Sequence, residues 1–222
     1  MAAASALDTL LARGDLWRGV RPPPWQSGVL TTGHPPLDRL LGGGWPRGAL
    51  VEIGIAPGHG EWRLASPALR AAAAVVLLDP PALPFAPALA AELDLDRLIL
   101  VRTGSRAEFL DAFRELAAAR DCAALLAWTP AGDLDYPTLR QCQLAAGATA
   151  ALRLLFRPPA AARRPSPAPL RLAARCAVDG LEVWLLRRRG FAVPPRPPRV
   201  VLPREAGRRT SAAPLPVRRL AP

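Results

Sequence analysis

Short apolar runs bounded by glycine and proline alternate along this chain with stretches whose apolar positions recur three and four residues apart. Residues 49–55, 75–78, 98–101, 122–128 and 150–156 carry the first pattern and read as buried strands. The second pattern fills the gaps between them. Ser66-Pro67 offers an N-cap with proline at the first helical position, which predicts a helix over 68–74, and 86–93 predicts another. Ser105-Arg-Ala-Glu108 has the form of a capping box heading a helix with Phe109, Phe113 and Leu116 at helical spacing, and Asp135-Tyr-Pro137 opens a further helix. Buried strands alternating with helices predict a mostly parallel sheet covered on both faces, the three-layer α/β class.

After residue 156 the pattern changes. Segments 170–178 and 181–186 flank Asp179-Gly180, a strong hairpin signal, so the sheet is expected to end antiparallel. Before this hairpin lies 157–169, with Arg163-Arg164 and five prolines, and after it a Pro/Arg-rich stretch, 191–222. Neither is expected to pack as core. Residues 1–27, with a short helix over 2–13 and then Trp17 and Trp25, read as an arm. The chain is thus expected to comprise an N-terminal arm (1–27), a core domain (28–190) and a disordered tail (191–222).

The length of 222 residues, half of them apolar, suits one domain with attachments. No uninterrupted run of about 18 apolar residues spans a membrane, and the N-terminus has no basic region and carries Asp8 within its apolar stretch. The expectation is a cytoplasmic protein without a membrane partner. Every one of the 29 basic side chains is arginine; lysine and asparagine are absent. A very GC-rich genome encodes such a composition, which accounts for part of the excess. The missing lysine nonetheless excludes Schiff-base chemistry, a lysine general base and a P-loop lysine. Cys122, Cys142 and Cys176 fit neither metal-ligand spacing nor a disulfide framework and are expected to be core thiols.

Charge divides the chain unevenly. Residues 1–150 hold 13 arginines against 15 acids, a net of −2, whereas 151–222 hold 16 against 3, a net of +13. A near-neutral body with a strongly basic end points to an anionic partner, nucleic acid being the commonest.

The candidate chemistry centres on Gly54-Ile-Ala-Pro-Gly-His-Gly-Glu-Trp62, a glycine-rich turn after a strand, where phosphate-binding loops lie. Gly54, Gly58 and Gly60 supply the loop. A working P-loop ends in Lys and Ser/Thr, the ammonium neutralising phosphate and the hydroxyl ligating magnesium. Here Glu61 and Trp62 stand at those places. A carboxylate for an ammonium reverses an interaction of about 1–4 kcal/mol. No nucleotide, metal or other cofactor is therefore expected, and the loop reads as a structural turn. Asp79, alone near its strand end, reads as a turn cap. His34 and His59, both in Gly/Pro loops without a triad or metal pattern, are expected to be structural, as are Trp128 and Trp184 within strands.

Several stretches in order carry a resemblance. Thr32-Gly, Leu37-Asp38, Leu41-Gly-Gly-Gly44, Pro46, Gly48 and Glu52-Ile53 follow a RecA-type lead-in, TG…LD…LGGG…P.G…EI. Residues 75–90, 95–101, 124–128 and 154–158 are similar to segments of the ImuA family of translesion-synthesis-associated proteins. The resemblance spans about 14–190 and implies a RecA-like fold with a degenerate P-loop. Ala127 and Trp128 stand where such folds place a magnesium-handling aspartate, and Asp79-Pro80-Pro81 where a catalytic glutamate is expected. The implied function is a non-catalytic adaptor of an error-prone translesion complex in the DNA-damage (SOS) response. Its implied partners are an ImuB-like Y-family polymerase homologue and an error-prone replicative-type polymerase. A SulA-like cell-division inhibitor on the same scaffold is the alternative.

Two surfaces complete the expectations. Segment 157–169 falls where RecA proteins carry a mobile DNA-binding loop, so Arg163, Arg164, Arg187, Arg188 and Arg189 are the candidate contacts to single-stranded DNA, arginine being suited to bidentate phosphate binding. Trp17 and Trp25 are the candidate anchors for a protein partner.

Overall fold

The computed structural model describes residues 25, 27–70 and 72–203. These form an α/β layered structure around one eight-stranded sheet. Its strands are β3 (Ala49–Gly54), β4 (Val75–Leu78), β5 (Leu98–Val101), β6 (Ala124–Trp128), β7 (Leu152–Arg157), β8 (Leu170–Ala177), β9 (Gly180–Arg188) and β10 (Arg199–Pro203). Their order is β10-β9-β8-β3-β7-β6-β4-β5; from β8 to β5 every neighbour is parallel, and β9 and β10 close the other end antiparallel. A separate two-stranded ribbon pairs β1 (Val29–Leu30) with β2 (Trp45–Pro46).

Alternation along each strand builds two cores. Val51 and Ile53, Leu77, Leu126, Leu154 and Phe156, then Leu172, Val183 and Leu185 share one face. Helices α1 (Pro35–Leu41) and α2 (Glu61–Leu69) pack there through Leu37, Leu41, Leu64 and Leu69. The short α3 (Ala86–Ala90) lies beside α2. Leu50, Val76, Leu125 and Leu155 point the other way, against Phe109, Phe113, Leu139 and Cys142 of α4 (Arg106–Ala118) and α5 (Tyr136–Ala146). Each fully buried Leu or Phe contributes about 1.5–3 kcal/mol.

The caps obey local chemistry. Ser105 Oγ accepts from the Glu108 amide at 3.2 Å, while Glu108 Oε2 reaches back to the Gly104 amide at 2.8 Å, so the second arm of the predicted box closes one residue earlier. Asp135 caps α5 by accepting from the Thr138 amide at 2.9 Å. Asp79, at φ 50°, accepts from the Thr103 amide and hydroxyl and ties the end of β4 to the turn after β5. That is the cap expected of it.

Three expectations are corrected and one helix is added. Helix α2 begins at Glu61 and ends at Leu69, with Pro67 inside it rather than at its start. Proline there leaves the carbonyl of Arg63 without its helical donor, and His34 Nε2 occupies that place at 3.2 Å. Helix α1 lacks a predicted counterpart; Asp38 secures it by accepting from the Thr32 amide and the Thr31 hydroxyl, and Gly42 ends it at φ 83°. The hairpin turn is Val178-Asp179, because Gly180 already pairs with Ala177. Glycine is needed at 180 because a Cβ would stand 2.0 Å from the Leu202 carbonyl oxygen. Finally, the stretch expected as tail returns as β10, with Leu202 buried in the core; the remainder, 204–222, lies outside the described residues. No described helix is long and apolar enough to cross a membrane.

Candidate functional site

Strand β3 ends at Gly54, and the loop to α2 emerges at the C-terminal end of the parallel sheet, the end at which α/β proteins gather their sites. Gly58 and Gly60 adopt φ of 75° and 105°, conformations that suit glycine. The hairpin of β8 and β9 braces the loop: Cys176 Sγ donates to the His59 carbonyl at 3.0 Å, and a Cβ on Gly60 would meet Leu181 at 3.1 Å. His59 Nδ1 donates within the loop to the Pro57 carbonyl at 2.9 Å.

Glu61 turns inward. It is 3 % exposed, and its Oε1 accepts a hydrogen bond from the Gly58 amide at 2.7 Å. Its Oε2 is buried without a hydrogen-bond partner. The loop therefore encloses a carboxylate of its own. Trp62 leans back onto the core, 6.3 Å from the ring of Trp128, which stacks on Phe156 at 4.8 Å. Beside it a groove of about 490 Å³ opens between α2 and α3, with Trp62, Pro67, Phe85 and Leu89 as apolar walls and Glu92, paired with Arg70, on its rim.

A second feature at this end is a buried ionic cluster. Arg157, at the end of β7 and 1 % exposed in its side chain, binds Glu52 Oε2 through Nη1 at 2.8 Å and both oxygens of Asp133 at 2.9 and 2.8 Å. Arg171 adds a second guanidinium to Glu52 at 3.1 Å, and the Ser166 hydroxyl donates to the remaining Glu52 oxygen. The acids hold the Arg157 guanidinium above its ordinary value against the cost of burial. Asp133 reaches the cluster from a left-handed turn at φ 64°. Strand alternation makes this meeting possible, since Glu52 and Arg157 point toward the α4–α5 face from adjacent strands, with Arg171 on the next.

This cluster fastens the segment after β7. Residues Pro159–Arg163 form a 3-10 turn, Arg171 Nη2 donates to the Ala161 carbonyl at 2.9 Å, and Ala161, Ser166 and Ala168 are buried. The expectation that 157–169 stands apart from the core is thereby corrected: the five prolines leave few amides to satisfy, and charged side chains from three strands anchor the segment. Arg163 and Arg164 remain exposed, Arg164 with Nη1 3.5 Å from Asp133. Arg187, also exposed, donates to the Ser166 carbonyl at 2.7 Å. Arg189 is exposed, and its backbone amide donates to the Pro169 carbonyl. Arg188 departs from the set: it turns to the α1 side, donates to the Leu40 carbonyl at 3.0 Å and lies 4.3 Å over the Phe191 ring.

Of the aromatic candidates, Trp128 is buried as expected, while Trp184 is half-buried with the Arg175 guanidinium 5.1 Å from its ring. Trp25 is half-buried against the main core rather than projecting from an arm, and Trp17 lies outside the described residues. Cys122 and Cys142 are buried but Cys176 is exposed, a correction for the third thiol. Among the described residues no group of three or more His, Cys, Asp or Glu is placed to hold a metal ion.

Sequence reasoning passed over Glu52, Asp133, Arg157 and Arg171 as a unit. The available signal was a charge inside an otherwise apolar strand, as in Leu50-Val-Glu-Ile53 and Leu152-Arg-Leu-Leu-Phe-Arg157. No protein-family model matches the chain, and no curated protein matches it.

Proposed function

We propose that this chain is a non-catalytic, RecA-like adaptor of the ImuA kind, serving an error-prone translesion DNA synthesis complex in the DNA-damage response. The observation that carries the reading is the hydrogen bond from the Gly58 amide to the Glu61 carboxylate. In a phosphate-binding loop the backbone amides face the bound phosphates. Here the loop amide is already taken by the chain's own Glu61 carboxyl group, and an incoming triphosphate would meet that buried group with no lysine to offset it. Trp62, committed to the core, offers no hydroxyl to magnesium. These features support a degenerate P-loop on a scaffold that has kept its strand order and lost its chemistry.

Its work would then be docking. The edge strand β5 leaves Ile99 and Leu100 51 % and 38 % exposed, and Leu83 and Phe85 are exposed at 77 % and 72 %. Apolar side chains at a sheet edge and beside a groove suit a protein partner, which in this reading is an ImuB-like polymerase homologue acting with a replicative-type error-prone polymerase. Arg163, Arg164 and Arg187, gathered on the fastened segment and the end of β9, would contact single-stranded DNA.

The purified protein should bind no ATP by calorimetry and show no hydrolysis with or without single-stranded DNA. It should co-purify with an ImuB-like protein expressed beside it. ATP turnover that disappears on Gly60→Ala, or failure to co-purify, overturns the reading.

A further inference from the structure

The far end of the sheet has two unlike faces. Leu170, Leu172, Ala174, Leu181, Val183, Leu185 and Leu202 point into the core beneath α1. The intervening residues point the other way. There α4 and α5 pack over β3, β7, β6 and β4, the 3-10 turn Pro159–Arg163 packs against β3 and β8, and no described α-helix extends across β9 and β10.

This open face has a definite chemistry. Register sets Trp184 between Ala173 on β8 and Arg199 on β10, with Glu182 two residues along and opposite Arg175. Glu182 is 10 % exposed in its side chain and uses both oxygens, accepting from Arg175 Nε at 2.7 Å and from Arg199 Nη1 at 2.7 Å. The carboxylate thus holds two arginines apart on either side of one strand. They stay 67 % and 56 % exposed. One acid against these two arginines leaves a net positive face, and Arg187 adds to it further along β9. Trp184, half-buried, supplies an aromatic ring among them with the Arg175 guanidinium 5.1 Å from its centroid, and its cross-strand neighbour on β8 is the small Ala173.

We propose that this face of β8, β9 and β10 binds single-stranded nucleic acid, an unpaired base stacking on Trp184 while Arg175 and Arg199 take phosphate oxygens on either side. The pairing of a sheet face, an aromatic ring and guanidiniums suits a single strand: splayed bases have free π-faces and a backbone that tracks a positive surface. A duplex keeps its bases stacked inside, where an indole on a sheet does not reach. An acidic protein segment would use the arginines and not the ring. The proposal rests on the nucleic-acid part of the adaptor reading, on a face that shares Arg187 with the earlier set but not Arg163 or Arg164, and does not need the protein partner.

The test is fluorescence anisotropy of a labelled oligo(dT) titrated with the full chain across a salt series. Trp184→Ala should weaken binding about 5- to 150-fold, and Trp184→Phe should keep most of it, since stacking survives in the smaller ring. Arg175→Gln with Arg199→Gln should lower the slope of log K against log salt by about 1.4, two phosphate contacts' worth for a single strand. Thermal unfolding of each variant checks that the fold is intact. Affinity unchanged in both the Trp184→Ala and the double-arginine variants overturns the proposal. If Arg163→Gln with Arg164→Gln abolishes binding while the face variants do not, the face is wrong and the earlier arginine assignment stands. Duplex binding as tight as single-strand binding also overturns it, as does labelled polyglutamate binding as tightly as oligo(dT) with no loss in Trp184→Ala. Loss of co-purification with a polymerase homologue would bear on the adaptor reading alone.

Discussion

The imidazole Nε2 of His34 donates to the carbonyl of Arg63 at 3.2 Å, the acceptor that Pro67 cannot satisfy from within α2. A Cβ on the neighbouring Gly33 would lie 2.3 Å from Pro67 Cβ, so the loop before α1 is pressed onto the proline itself. One interhelical contact thus replaces one missing helical bond and docks two helices on the core.

Removing this donor should therefore be costly only while proline is present. His34→Ala should lower stability by about 1 kcal/mol, the net worth of a typical hydrogen bond. In a Pro67→Ala background, the restored amide donates to Arg63, and the same change should cost measurably less. Urea unfolding of the four members of the double-mutant cycle reads the difference.

The buried cluster predicts a sharp contrast between two arginines that share Asp133. Arg157→Met leaves Asp133 with only the exposed Arg164 and Glu52 with only Arg171 and Ser166 in the interior, and should destabilise by about 3–5 kcal/mol. Arg164, 59 % exposed and 3.5 Å away, should contribute about 0–1 kcal/mol when changed to alanine. Limited proteolysis should cut within 158–169 in the first variant and not in the second.

Arg153 is fully buried without a carboxylate. Its guanidinium instead donates to the carbonyls of Ala117, Cys122 and Leu152 and to Thr149 Oγ1, and burial lowers its pKa. It closes the C-terminal end of α4, where a cation is favoured. Arg153→Lys keeps charge but not the planar fork, and should leave carbonyls unsatisfied at about 1–3 kcal/mol each. A fall in melting temperature close to that of Arg153→Met is the expected outcome.

The thiols should separate by reactivity and by pH. With Cys122 and Cys142 buried, a thiol reagent at pH 8 should label one equivalent, Cys176, in the native protein and three in denaturant. Burial raises the Cys142 thiol from its ordinary 9.0 to about 12. Above pH 9 the unfolded chain releases a proton that the folded chain keeps. The contribution is therefore whole below pH 9 and is lost as pH rises toward 12, by at most about 1.4 kcal/mol per unit. Urea midpoints at pH 8 and pH 10 should fall less in Cys142→Ala than in the parent protein; Cys122, also raised by burial, maintains part of the slope.

Much of the architecture was legible in the residue pattern because it is written locally. A continuous apolar run such as Val75–Leu78 has few ways to satisfy its backbone other than as a central strand, and Ser105 or Asp135 caps whatever helix comes after it. The inward turn of Glu61 was not legible. Its charge was visible, but its partner, the Gly58 amide, depends on how the loop bends under Leu181 and Cys176, more than a hundred residues away.

The sequence by itself determined the central parallel strands and the capped helices α4 and α5, the sign of each charge, and the lack of a lysine and hydroxyl after the glycine-rich loop, whereas α1 and β10 emerged only in the fold. Tertiary structure alone decided which charges meet. Glu52, Arg157 and Arg171 become neighbours only because β3 lies between β7 and β8 in a given register, and Trp184 stays half-exposed because α4 and α5 stop short of the antiparallel strands. The physical reason is range: hydrogen-bond periodicity and capping act over four or five residues, whereas strand order is set by packing across the whole chain.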